Sequence, residues 1–184
     1  MEHHIAAICF DFGDTLVDEA TEVKNERQVT LQGDLIPGVD QMLRDLHSRG
    51  YRLAIVSDGP VGNVDNVLRS HGLLDLFEAF AISETVGVDK PNPLMFLHAL
   101  DQLGIGAENY GRTVMVGNNL SRDVKGANEM GMVSVFLDWS PRYPKLPTDA
   151  SEVPAHTIQM PLDLLPLVER LEENHHFREG QGDL

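Results

Sequence analysis

Short, nearly continuous apolar runs alternate along the chain with helix-patterned segments, and most of them stop at a residue that can bind or react. IAAICF (5–10) runs into Asp11, YRLAIVS (51–57) ends in Ser57, RTVMVG (112–117) is followed by Asn118, and MVSVFLD (132–138) ends in Asp138. FAIS (80–83) is a shorter run of the same kind, and a segment near HTIQM is a candidate sixth. Runs of this length without polar alternation are strands buried on both faces. Between them, residues 37–50 place Val39, Met42, Leu43 and Leu46 at helical spacing, with Pro37 near the start and Gly50 as the stop. Further helices are predicted over 61–71, 92–104, 121–131 and 161–173. Strand–helix alternation of this kind implies a mostly parallel sheet covered by helices on both faces. Such sheets bind ligands outside the carboxyl ends of their strands. The polar residues that end the runs therefore belong to one edge.

The length of 184 residues suits one domain, predicted over 1–173, with 174–184 as a flexible tail. The net charge of −15 repels phosphate backbones and anionic bilayers, so neither nucleic acid nor a membrane is expected as a partner. No basic, apolar leader opens the chain and no run reaches the length of a membrane span. With a single cysteine, Cys9 inside the first strand, a cytoplasmic protein is expected. His3 and His4 read as solvated rather than metal-binding. A homo-oligomer stays open.

Asp11 alone fits a nucleophile, a metal ligand or a turn cap. Ser57, followed by Asp58 and Gly59, offers a hydroxyl and backbone N–H groups to an anion. Lys90 precedes a helix in VGVDKPNP, and Asn118 and Asp123 lie in VGNNLSRD. A carboxylate, a hydroxyl, an ammonium and a second oxygen cluster are the parts needed to hold Mg²⁺ and a phosphoryl group together.

These segments resemble, in order, the four motifs of the haloacid dehalogenase (HAD) superfamily: DFGDTLV, IVSDG, DKPNPLMF and MVGNNLSRDVKGANEMGM. The resemblance implies a Rossmann-like three-layer sandwich and a Mg²⁺-dependent phosphatase acting through an aspartyl-phosphate on a small or larger phosphorylated substrate. Asp11 matches the nucleophile, Ser57 and Asp58 the phosphate-binding segment, and Lys90 the charge-neutralising cation. Asp11, the carbonyl of Gly13, Asn118 and Asp123 match the metal site. Two positions depart from the pattern. Family hydrolases usually carry an aspartate where this chain has Gly13, and that side chain serves as general acid and base. Asp14 is a candidate substitute. Asn118 stands where many members have aspartate, which removes one negative charge from the metal site. Between Asp11 and Ser57, once a helix and strand are placed, only about Val17 to Leu35 remains, enough for a flap but not for a cap domain. A capless member with an open site is expected. Trp139, Arg142 and Tyr143, in the loop 137–145, are candidates for substrate contact or for anchoring that loop. Two other functions stay open: a weak or inactive phosphate-binding scaffold, motivated by Gly13 and Asn118, and a carbon–halogen hydrolase, whose members also lack the second aspartate.

Overall fold

In the computed structural model, which describes residues 3–179, the apolar runs form one parallel six-stranded sheet. Its strands are β1 (Ala7–Phe10), β4 (Leu53–Ser57), β5 (Ala79–Ile82), β6 (Thr113–Gly117), β7 (Val133–Leu137) and β8 (His156–Ile158), in the order β5-β4-β1-β6-β7-β8. The expected sixth strand is thus β8. A separate antiparallel hairpin, β2 (Val23–Lys24) with β3 (Thr30–Gln32), occupies the segment expected to form a flap. Among the described residues, only a 3-10 turn (Glu19–Thr21), this hairpin and one helix (Val39–Ser48) lie between β1 and β4, with no helical cap. The helices are α1 (Val39–Ser48), α2 (Val61–Ser70), α3 (Ser83–Val86), α4 (Pro93–Gln102), α5 (Lys125–Glu129) and α6 (Leu164–Glu179). Helix α6 runs past the boundary expected at 173, and residues 180–184 of the expected tail lie outside the described residues.

Alternation along β1 sorts its side chains between two cores. Ile8 and Phe10 join Leu53, Ile55, Val114 and Val116 beneath α1, α2 and α6. Ala7 and Cys9 join Ala54, Val56, Ala79, Ala81 and Met115 beneath α4 and α5. The second face is built mostly of small residues, which lets Met95, Phe96, Ala99 and Leu100 of α4 seat directly on the strands. Cys9 is fully buried, and burial pushes its thiol pKa up to about 12, so it is a packing residue.

The strand order makes β1 the switch point. The chain leaves it first for β4 and β5, then returns across it to β6, β7 and β8. Neighbouring connections therefore diverge at the carboxyl end of β1, opening a crevice there. Asp11 stands at that point.

Candidate active site

The turn after β1 is closed by its own backbone: Leu16 and Val17 N–H donate to Phe12 O, and Asp14 N–H donates to Val17 O at 2.7 Å. This leaves Asp11 at the mouth of the crevice. Its Oδ1 accepts from Lys90 Nζ at 2.7 Å, and its Oδ2 accepts from Thr15 Oγ1 at 3.2 Å. Lys90 also donates to Asp123 Oδ1 at 2.7 Å and to Val56 O at 2.8 Å. Three acceptors around one ammonium hold it in a single place. Burial disfavours the charge on Lys90, but Asp11, Asp123 and Asp58 outweigh it and raise its pKa above the ordinary lysine value. For Asp123, burial and then the charge of Asp11 push the pKa up against the pull of Lys90.

Asp11, Ser57, Lys90, Asn118 and Asp123 line one cleft of about 200 Å³. The four separated loop tips therefore meet at one edge of the sheet. Gly117 makes part of this possible: a Cβ on it would lie 2.3 Å from Asp123 Cγ, so only glycine lets that carboxylate lie against the end of β6. Asp123 is carried by a π-helical turn, Leu120–Val124, in place of the regular helix start expected at 121. Its Oδ2 accepts from Asn119 N–H at 3.0 Å. It anchors Lys90 while lining the cleft in which a metal role is expected for it.

Two expected roles need correction. Asp14 does not line the cleft. Its backbone is left-handed, with φ 50°, and its carboxylate turns toward the loop after β7. There it accepts from Ser140 Oγ at 2.8 Å, from Arg142 Nε at 2.5 Å and from Glu19 N–H at 3.0 Å. Bonded to structure through both oxygens and outside the cleft, it is not placed to act as the substitute acid. Asp58 lines the cleft, but its carboxylate accepts from Lys90 N–H at 2.9 Å and from Arg122 Nη1 at 3.1 Å. A carboxylate repels phosphate, so the side chain braces the Lys90 backbone and the Arg122 guanidinium, and only the backbone of this segment suits an anion.

Glu19, Glu22 and Lys24, from the flap segment, and Tyr143, from the loop after β7, also line the cleft. Arg142 ties the loop after β7 to the turn after β1 and to the flap segment, reaching both Asp14 and, at 3.3 Å, Glu19 Oε2. The three candidates of that loop have separate places: Trp139 packs on the core, Arg142 is a tie, and Tyr143 lines the cleft. Glu19, Arg122 and Asn63 are cleft residues that the sequence reading missed. The acid-rich stretch DEATE, just after a position lacking an expected acid, was the available signal for Glu19. Burial raises the Glu19 pKa, Arg142 opposes this, and Asp14, Glu22 and Asp11 push it further up.

Asp11, Asn118 and the backbone of Gly13 supply only oxygen donors toward a cation, the hard set that suits Mg²⁺, which is commonly held by one or two carboxylates with water and substrate phosphate. Among the described residues no three acidic, histidine or cysteine side chains converge as a metal cluster. The set therefore fits Mg²⁺ with a low ligand charge. Asn118 lines the cleft, and its Nδ2 is buried without a protein partner.

A family model for haloacid dehalogenase-like hydrolases matches residues 19–131. The chain belongs to this family. The match begins after Asp11 and Gly13 and spans Ser57, Lys90, Asn118 and Asp123. A glyceraldehyde 3-phosphate phosphatase of Methanopyrus kandleri is 34% identical over 135 residues, covering 73% of this chain and 57% of that protein. A phosphoserine phosphatase of Thermus thermophilus is 34% identical over 104 residues, covering 56% of this chain and 41% of that protein. The crystal structure of a HAD phosphatase from Thermococcus onnurineus superposes with a TM-score of 0.63 at 30% identity, covering 73% of this chain and 58% of that one. The chain spans about half the length of the curated relatives it matches.

Proposed function

We propose that this HAD-like hydrolase is a Mg²⁺-dependent phosphatase that cleaves small phosphate monoesters through a phosphorylated Asp11. The observation that carries the reading is the carboxylate of Asp11 held by Lys90 at 2.7 Å in a cleft shared with Ser57 and Asn118. Thr15 and Lys90 fix the rotamer of Asp11, so that a carboxylate oxygen faces the phosphorus of a bound ester. Ser57 Oγ and the N–H groups that follow it hold the phosphoryl oxygens, and Lys90 balances the charge of the transferring group. Asp123 and Asp58 keep Lys90 in place. Asp11, Asn118 and the Gly13 carbonyl would hold Mg²⁺, which shields the repulsion between carboxylate and phosphate when bound. The cleft, smaller than a drug-sized pocket, suits a compact ester. The substrates named for the relatives, glyceraldehyde 3-phosphate, phosphoserine and phosphoglycolate, are of that size.

The test is a panel of these esters and of 4-nitrophenyl phosphate, run with Mg²⁺ and with EDTA, together with beryllofluoride trapping. Mg²⁺-dependent phosphate release and an adduct on Asp11 are expected. Phosphate release that persists in EDTA would count against the metal role. An adduct without any turnover would favour an inactive phosphate-binding domain.

The low ligand charge gives a separate expectation. Asn118→Asp adds a carboxylate beside Asp11 and Asp123, so Mg²⁺ should bind more tightly by calorimetric titration. The same variant should melt lower than the parent without Mg²⁺, because three acids then crowd one lysine, and regain the difference when Mg²⁺ is added. Unchanged Mg²⁺ affinity would place the metal away from residue 118.

A further inference from the structure

Position 13 has no side chain, yet the space beside it is filled by a carboxyl group from elsewhere. A Cβ on Gly13 would lie 2.1 Å from Glu19 Oε1 and 2.9 Å from its Cδ. The Glu19 carboxyl therefore stands inside the volume that a residue-13 side chain would enter, at the edge of the cleft that holds Asp11. We infer that Glu19 supplies the acid–base group that residue 13 lacks, an inference that rests on the phosphatase reading above.

The placement is built rather than incidental. Glu19 begins a short 3-10 turn whose preceding residue, Asp18, accepts from Ala20 N–H at 3.0 Å. Glu19 N–H donates to Asp14 Oδ1, and its Oε2 lies 3.3 Å from Arg142 Nε. Asp14 thus acts as a positioning residue: it holds both the backbone of Glu19 and the arginine that orients its carboxyl. Glu22, the other flap acid in the cleft, is paired with Lys24 at 2.9 Å instead.

In the first step Asp11 attacks phosphorus, the bond to the ester oxygen breaks, and the Glu19 carboxyl gives its proton to that departing oxygen. In the second, water attacks the phosphoryl group and the Glu19 carboxylate takes the water proton. The Asp11–phosphorus bond then breaks and inorganic phosphate leaves, which returns both carboxyl groups to their starting forms. The chemistry is general acid–base catalysis from a different point in the chain, with the acid delivered by the flap.

The experiment compares Glu19→Gln, Glu19→Ala and the double variant Glu19→Ala/Gly13→Asp on 4-nitrophenyl and phenyl phosphate. Glu19→Gln should lower kcat by about 10²-fold, within the range of acid–base assistance. Rapid-mixing traces of this variant should show a burst of nitrophenolate near one per site, because an activated leaving group departs unaided while the phosphoenzyme accumulates. On phenyl phosphate the burst itself should slow. Adding aspartate at 13 to Glu19→Ala should restore about tenfold or more of the lost turnover, a rescue that a purely structural Glu19 would not give. A Glu19→Gln enzyme with wild-type kcat and no burst overturns the inference, as does failure of the carboxylate at 13 to rescue a folded double variant. Asp11→Asn separates the two readings. Turnover lost there but intact in Glu19→Gln defeats the role of Glu19 alone, whereas turnover that survives Asp11→Asn defeats the phosphatase reading.

Discussion

Asp11→Asn should reduce phosphate-ester turnover by at least about 10³-fold while leaving the protein as stable as its parent, or more stable. The two halves have one cause. The carboxylate has little structural work that an amide cannot do, since the asparagine oxygen can still accept from Lys90, as Oδ1 does at 2.7 Å. What disappears is a negative charge in a buried cluster that already holds one too many: Lys90 faces both Asp11 and Asp123. The charge of Asp11 helps raise the pKa of Asp123, and the substitution relieves that pressure. An amide is no nucleophile toward phosphorus, however, so the aspartyl-phosphate cannot form. Active sites often hold such unfavourable charge, and removing it commonly stabilises. Initial rates with 4-nitrophenyl phosphate and a thermal melt of the same sample check both halves. Residual turnover near the parent level would move the nucleophile elsewhere, and a clear drop in melting temperature would mean that the carboxylate is a structural member of the cluster.

The sheet and its reactive edge were legible because both follow from one pattern. Buried parallel strands must be apolar throughout, so IAAICF and LAIVS announce themselves, and the first polar residue after each marks the same edge. Asp11, Ser57 and Asn118 could be gathered for that reason, and Lys90 and Asp123 through the resemblance of their segments to the later family motifs. Features set by tertiary contact were not legible. The hairpin β2–β3 is two and three residues long in its strands and largely exposed, so no periodicity reveals it. Helix α3 is a single turn closed by the left-handed Gly87. The π-helical turn at Leu120–Val124 differs from a regular helix in which carbonyl each N–H finds: Asp123 and Val124 N–H both reach Asn119 O. Spacing in a sequence does not distinguish these. Glu19 and Asp14 exchanged their expected importance for the same reason. Asp14 lies within the first motif, but its backbone has a positive φ and its carboxylate is bound by the loop after β7, whereas Glu19, outside the motif, is brought against Gly13 by the fold of the flap.

Lys90→Gln should be the most destabilising single change at the site, because it leaves two buried carboxylates facing each other without a counter-charge. The side chains of Lys90 and Asp123 are each 2% exposed, so water cannot take over the role of the ammonium. Removing one partner of such a buried cluster typically costs about 3–5 kcal/mol. At roughly 2–4 °C per kcal/mol for a domain of this size, the melting temperature should fall by roughly 6–20 °C. Activity should be lost as well, which alone would not separate a chemical role for Lys90 from simple unfolding. The double variant Lys90→Gln/Asp123→Asn does separate them. Glutamine and asparagine can bond to each other, only Asp11 remains charged, and most of the lost melting temperature should return. Turnover should not return, because no cation then balances the transferring phosphoryl group. The coupling is read as the difference between the double variant and the sum of the two single variants. Additive losses of stability would show that Lys90 and Asp123 do not sense each other, and recovery of turnover along with stability would reduce Lys90 to a structural brace.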